Sequence, residues 1–270
     1  MPEYAGRGDP RRTLELLWGR VAAPARGPKQ GLTPLGIARA AIELADAEGL
    51  DAVTMRKVAD RLGRSAMSLY TYVPSKAELI DLMLDTTLGE LPASYSTGQG
   101  WRADAEASAR AGWELYRRHP WLLQVSAARS LMGPNETRAF EAMLAVVDGL
   151  GLTGLQMTRI VSLLADFVRG AATSLADAAL AERVTGMSDD EWWNARNPVF
   201  EELAGEDFGE RFPVITRLQS DEATFDQPFD DALLEGHSYT EAIALDTFEF
   251  GLTRLLDGVE LYLDGIAGPS

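Results

Sequence analysis

The residues best suited to chemistry lie close together, between Thr54 and Lys76, in the run TMRKVADRLGRSAMSLYTYVPSK. Thr54 and Ser65 sit where helix N-caps are expected, because a hydroxyl there accepts an otherwise unpaired backbone N–H. Gly63 stands between the two short helices they open and supplies a turn that wants positive φ. Ala59, one turn before Gly63, lets the helices approach closely, and Val58, Leu62 and Leu69 can form a small core between them. Two short helices at a glycine turn are the pattern of a helix-turn-helix, whose second helix enters the DNA major groove. Many unrelated helical hairpins share that pattern.

Bond-making chemistry finds no comparable cluster. The two histidines, His119 and His237, have no neighbour at the HExxH spacing of a metal site. There is no GxSxG elbow, no GxxxxGK phosphate loop, and no cysteine for a thiolate nucleophile, zinc site or disulfide. Among 41 Asp and Glu, no spacing singles out an acid–base pair. No catalytic residue, no metal site and no cofactor is expected.

The surrounding sequence reads as helix throughout. Thr33-Pro34 opens a helix with Ile37, Ala41, Leu44 and Ala45 on one face, ended by Gly49. Ser75-Lys76-Ala77-Glu78 has the form of a capping box and starts a fourth helix toward Gly89. Residues 92–100 are a linker by composition. Helical spacing returns over 101–118, where His119-Pro120 breaks it. Further helices are predicted from Pro134 to Val147 and from Thr153 to about Glu182. Another follows the Ser188-x-x-Glu191 box, and a last one carries Phe248, Leu252, Leu255, Val259 and Leu263. No strand alternation and no internal repeat stands out. The expected fold is all-α: a three-helix N-terminal helix-turn-helix domain and a larger helical domain.

Length and composition agree with this. The chain has 270 residues, 46% hydrophobic and 24% charged, enough to bury a core without staples. The opening MPEYAGRGDPRR lacks the apolar core of a secretion signal, and no run approaches a membrane span. A cytoplasmic protein is expected. The net charge of −16 taken whole disfavours nucleic acid, but its distribution does not. Residues 1–76 hold 12 Lys and Arg against 8 Asp and Glu, a balance of +4; the rest hold 13 against 33, a balance of −20. An acidic body would repel DNA everywhere except at the basic end. The acidic 218–240 segment reads as a solvated loop, and residues 1–31, rich in Gly, Pro and Arg, as a flexible basic arm containing a short helix at RRTLELLWGR.

The string T-M-R-x-V-A-x-x-L-G followed by S-L-Y-x-Y-V-x-S-K resembles the TetR family of bacterial repressors, over about residues 33–90. The tail FEFGLxRLLDG, from Phe248 to Gly258, resembles the closing helix of a subgroup with an all-α, tetracycline-repressor-like C-terminal domain. The resemblance implies a DNA-binding domain over 32–78 and a ligand-binding and dimerisation domain over 79–270. It implies that Thr54 reaches a phosphate, that Arg56 meets guanine, and that Ala66, Met67 and Ser68 meet base edges. Tyr70, Thr71, Tyr72 and Lys76 would hold the DNA, the tyrosines and Lys76 through phosphates. Arg64 departs from the family, which prefers an apolar residue after the turn glycine; its stem can shield the turn while its charge seeks a phosphate. Ser65 completes this set.

The resemblance further implies a homodimer formed through helices at about 155–180 and 245–264, with Gly170, Ala171 and Ala172 permitting close contact. It implies a palindromic double-stranded operator and release by a small-molecule effector. Trp113, Tyr116, Trp121, Met143 and Phe167 are candidates for an apolar pocket, and Arg110, His119 and Arg129 for its polar contacts. The other reading is a helical ligand-binding or interaction protein that has lost DNA binding.

Overall fold

The structure, a computed structural model, describes residues 3–20, 32–126, 128–220 and 235–267. These form two compact units, residues up to 172 together with 255 onward, and residues 173–254.

The first unit begins with a short strand β1 (Glu3–Tyr4) and helix α1 (Pro10–Leu17). Three helices follow, α2 (Pro34–Glu48), α3 (Met55–Arg61) and α4 (Ala66–Tyr70), then α5 (Lys76–Leu88). Each of these four opens on a hydroxyl cap: Thr33, Thr54, Ser65 and Ser75. Their shared core holds Ile37, Ala41, Val53, Val58, Leu69 and Val73, all essentially inaccessible to solvent. Helix α6 (Trp101–Arg118) ends at His119, and Pro120–Gln124 form a 3-10 turn leading into strand β2 (Val125–Ser126). Helix α7 (Pro134–Val147) follows. Helix α8 (Gly154–Thr185) opens on reciprocal bonds between Thr153 and Gln156. The last helix of the described chain spans Tyr239–Ala267; α9 (Asp189–Ala204), α10 (Phe208–Arg211) and α11 (Pro213–Ser220) precede it, so we number it α12.

Three expectations are corrected. Residues 3–20 are not a loose arm. Asp9 caps α1, Pro10 preorganises its first turn, and Leu16 and Leu17 give it an apolar side that buries in the core. A short helix is expected there; what the Gly, Pro and Arg around it hide is that it packs into the core. Residues 21–31 lie outside the described residues. A strand pair does exist: β1 runs parallel to β2, with Glu3 opposite Val125 and Tyr4 opposite Ser126. Two residues per strand are too few to show as alternation. Of the segment 218–240, residues 221–234 lie outside the described residues, but the start of the segment lies in α11.

The second unit contains α9 to α11. Its capping box at Ser188 and Glu191 is fully formed. Among its described residues, Leu175, Ala242, Ala244, Phe248 and Leu252 are buried. No side chain of α9 is buried; Trp192 and Trp193 meet edge to face, with Arg196 over the Trp192 ring. No described helix is long and apolar enough to cross a membrane.

Candidate functional site

The turn between α3 and α4 is built by backbone hydrogen bonds that only a left-handed residue permits. Gly63 has φ 64°. Its N–H donates to the Asp60 carbonyl at 3.1 Å, and the Arg64 N–H donates back to the Ala59 carbonyl at 2.9 Å. This paired closure satisfies the last carbonyls of α3. Ser65 then caps α4, and Leu69 on its inner side is wholly buried. The five-residue helix is too short to be stable by itself. Leu69 and the caps are what hold it.

The sequence-selected residues line up along the outside of this frame. Thr54 Oγ1 accepts the Lys57 N–H at 3.2 Å, which leaves its hydroxyl proton for another partner. Arg56 projects into solvent, with only a loose approach of 3.9 Å to Asp60. Arg64, Ser65, Tyr70 and Thr71 are exposed, and Met67 is 76% exposed, unusual for an apolar side chain. Ala66 and Tyr72 are half-buried and pack partly against the core. The Ser68 hydroxyl already donates to the Ser65 carbonyl at 2.6 Å, so toward a partner it can offer only a lone pair. Lys76 occupies the first position of α5, beside the unpaired N–H groups of that helix end. Lys57 and Arg61 lie in the same run but are tied to carboxylates of α2, Glu48 at 2.7 Å and Glu43 at 3.0 Å.

A separate cavity of about 250 Å³ lies within the first unit. Leu84 and Leu88 of α5, Leu115 and Tyr116 of α6, and Phe140 and Met143 of α7 contribute to its lining. Leu164, Val168 and Arg169 of α8 contribute also, as do Leu122, Val125 and Arg129. Its walls are mainly apolar. Tyr95 adds a phenol whose burial raises its pKa, keeping it a neutral hydroxyl. Arg169 Nη2 is held by the carbonyls of Leu123 and Val125 at 3.0 and 2.8 Å, and its guanidinium stacks 5.8 Å from the Tyr116 ring centre.

Of the pocket candidates, Tyr116, Arg129 and Met143 line this cavity and the other five do not. Trp113 is core, Phe167 half-buried and Arg110 exposed. His119 and Trp121 turn toward α2 instead. His119 Nδ1 lies 2.8 Å from Asp46 Oδ1, its Nε2 lies 3.3 Å from Glu90 Oε2, and Trp121 Nε1 donates to Asp46 at 2.9 Å. The break at Pro120 redirects these rings, and a carboxylate 73 and 75 residues away is invisible to local patterning.

A third group carries no local sequence signal beyond Glu78, which reads as part of a capping box. Glu78, Asp81 and Asp85 lie on one side of α5, at helical spacing, and all are buried. Asp85 accepts the N–H groups of Asn135 and Glu136, each at 3.0 Å, and so caps α7 from another helix. Asp81 accepts the Gly6 N–H at 2.8 Å. Glu78 takes the Ser75 hydroxyl, so the expected capping box is a variant in which Ser75 caps Ala77 instead. Burial raises the pKa of Asp85 and pushes that of Asp81 up to about 6, against the opposing pull of their backbone hydrogen bonds.

Comparison with known proteins matches both parts. Residues 37–83 match the family described as "Bacterial regulatory proteins, tetR family", and residues 91–263 match "Tetracyclin repressor-like, C-terminal domain". The chain is 42% identical over 270 residues to the HTH-type transcriptional repressor DrrR1 of Streptomyces coeruleorubidus, covering 99% of this chain and 92% of that protein. It is 32% identical over 158 residues to an HTH-type transcriptional regulator of Saccharopolyspora erythraea, covering 58% of this chain and 66% of that one. In fold it is similar to apo ActR of Streptomyces coelicolor, with TM-score 0.64 and 24% identity over 90% of this chain and 100% of ActR. The ActR complex with actinorhodin gives TM-score 0.63 and 23% identity over 87% and 99%. The hydroxyl-capped helix-turn-helix, the all-α body and these matches agree: the chain belongs to the TetR family of bacterial transcriptional regulators.

Proposed function

We propose that this protein is a dimeric, ligand-responsive transcriptional repressor. It binds a palindromic operator through the outer face of α3 and α4 and releases it when a small molecule enters the α5–α8 cavity. The observation that carries the reading is the division of labour in α4. Leu69 is wholly buried and fixes the helix, while Met67 on the same short helix is 76% exposed beside Arg64 and Ser65. An exposed methionine with no part in the core has a use if it meets a thymine methyl.

In this reading residues 32–78 handle DNA and 79–270 handle the effector and dimerisation. Arg56, Ala66, Met67 and Ser68 read bases; Thr54, Arg64, Ser65, Tyr70, Thr71, Tyr72 and Lys76 hold the backbone. One short helix makes too few contacts for a specific site, so a two-fold dimer reads half-sites about 34–36 Å apart. Within the first unit, α8 and α12 pack together through Ile160, Leu164, Leu256 and Val259, with Gln156 donating to the Tyr262 hydroxyl at 2.8 Å. Leu155, Leu163 and Leu261 remain exposed on this pair, which supports a second copy seated there.

The cavity supports a flat, largely apolar effector with a polar edge for Tyr95 or Arg129. ActR, of similar fold, has been solved with actinorhodin, which supports seeking the effector inside the helical bundle. Such a ligand acts only through unequal affinity for the DNA-competent and released states.

The test is selection from random duplex DNA with the purified protein, followed by a salt titration on the winning site. A palindrome with half-sites one turn apart and a steep salt slope is expected. Failure to enrich any sequence at low salt would instead favour a ligand-binding protein without DNA affinity.

A further inference from the structure

We propose that residues 3–20 form a strap coupling the wall of the cavity to α5, and that the strap carries part of the effector's influence on DNA affinity. The proposal rests on the repressor reading above and adds to it the route of communication.

Five contacts, made by one short stretch of chain, argue for it. At its start, β1 pairs with β2. Val125 of β2 lines the cavity, and its carbonyl holds Arg169 of the opposite wall. Next, the Gly6 N–H donates to Asp81 in the middle of α5. Two residues on, Gly8 passes so close to α5 that a Cβ there would lie 2.7 Å from Glu78 Oε1, so only glycine fits unmoved. Then α1 buries Thr13, Leu16 and Leu17 in the core it shares with α5. Finally, Trp18 Nε1 donates at 2.9 Å to the Met132 carbonyl, just before α7. Asp85 of α5 caps that same helix.

The strap therefore touches the cavity wall, the helix that joins cavity to helix-turn-helix, and the entrance to α7. Its grip is uneven. The α1 end is anchored by burial, whereas a two-residue strand pair is marginal by itself. An occupant that displaces β2 would disturb the weak end first and pass the disturbance to α5 through Gly6 and Asp81. Helix α5 begins at Lys76, on the proposed DNA face, and reaches the cavity at Leu84 and Leu88.

The test uses full-length protein and a built-in occupant, because no effector is identified. Ala139→Trp places an indole in the cavity. Gly6→Pro removes the N–H given to Asp81 and cannot keep the φ of 71° at that position. Trp18→Phe is the gentler variant, losing only the bond to Met132 while leaving Leu16 and Leu17 seated. Affinity for a duplex selected by the unaltered protein is measured in each background, with amide exchange over residues 76–88 as the readout of strap release.

In the unaltered chain, Ala139→Trp is expected to weaken DNA binding at least about fivefold, the lower end of ordinary coupling. In the Gly6→Pro background the same change is expected to cost less than about half that factor on the same scale, with faster exchange in α5. Trp18→Phe falls between. An equal loss in all three backgrounds would overturn the strap while leaving the repressor reading intact. No loss even in the unaltered chain would remove the link between cavity and DNA, and with it both the strap and the effector-driven release, while operator binding would stand.

Discussion

The outer face of α3 and α4 and the inner side of α5 use polar side chains in opposite ways. On the outer face, hydroxyls cap short helices and Arg56 stands in solvent, paired only loosely with Asp60. On the inner side, Glu78, Asp81 and Asp85 are buried, and Asp81 and Asp85 are engaged with groups far away in sequence. An exposed charge adds little to the fold and stays available to a partner. A buried carboxylate costs desolvation and is retained where its hydrogen bonds position other elements. The first region is built to meet something outside the chain. The second is built to hold the chain in register.

Substitutions test that contrast directly. The largest effect is expected inside the frame: Leu69→Ala should lose about 2–5 kcal/mol of stability, read by thermal or denaturant unfolding. Met67→Ala, two residues earlier and exposed, should change stability by no more than about 0.5 kcal/mol while weakening DNA binding. Equal destabilisation by both would show that Met67 belongs to the core after all.

Next in size is the pH dependence of Asp81. Its folded pKa of about 6 lies above the ordinary 3.8, so the folded state binds the proton more tightly. Its contribution is most favourable below the ordinary value, is lost as pH rises through this window, and is flat above about 6. An interval of that size corresponds to about 3 kcal/mol. Asp81→Asn keeps an acceptor for Gly6 without the charge, so it should raise stability at pH 7.5 and flatten the profile over that window. Asp85 shifts in the same direction and leaves a residual slope. An unchanged profile in Asp81→Asn would assign the pH dependence elsewhere.

Smaller effects separate the roles on the outer face. Arg56→Ala should cost about 1–3 kcal/mol of DNA affinity and relax one base position in each half-site. Lys76→Ala should weaken all sequences alike and make the salt slope shallower by about 1 per half-site. A shifted base preference in Lys76→Ala, or a uniform loss in Arg56→Ala, would exchange the two roles.

The sequence made one of these regions legible and not the other. Caps at Thr33, Thr54, Ser65 and Ser188, the Gly63 turn and the inward Val58 and Leu69 depend on spacings of a few residues, and local patterning reads them. The ion pairs that tie up Lys57 and Arg61 are made with a neighbouring helix and are not visible locally. Local patterning does not single out Asp81 and Asp85, because their partners lie 75, 50 and 51 residues away. His119 and Trp121 looked like pocket residues for the same reason: the Asp46 they reach is distant in sequence. Tyr95, inside a segment that reads as linker, is buried beside the cavity.

We propose that the outer face of α3 and α4 reads bases. The most direct test is parallel selection from one random duplex library, with the unaltered protein and with the Arg56→Ala, Met67→Ala double variant. A palindrome is expected from the first, and from the second the same spacing with preference lost at matching positions in both half-sites. An identical motif from both proteins would contradict it.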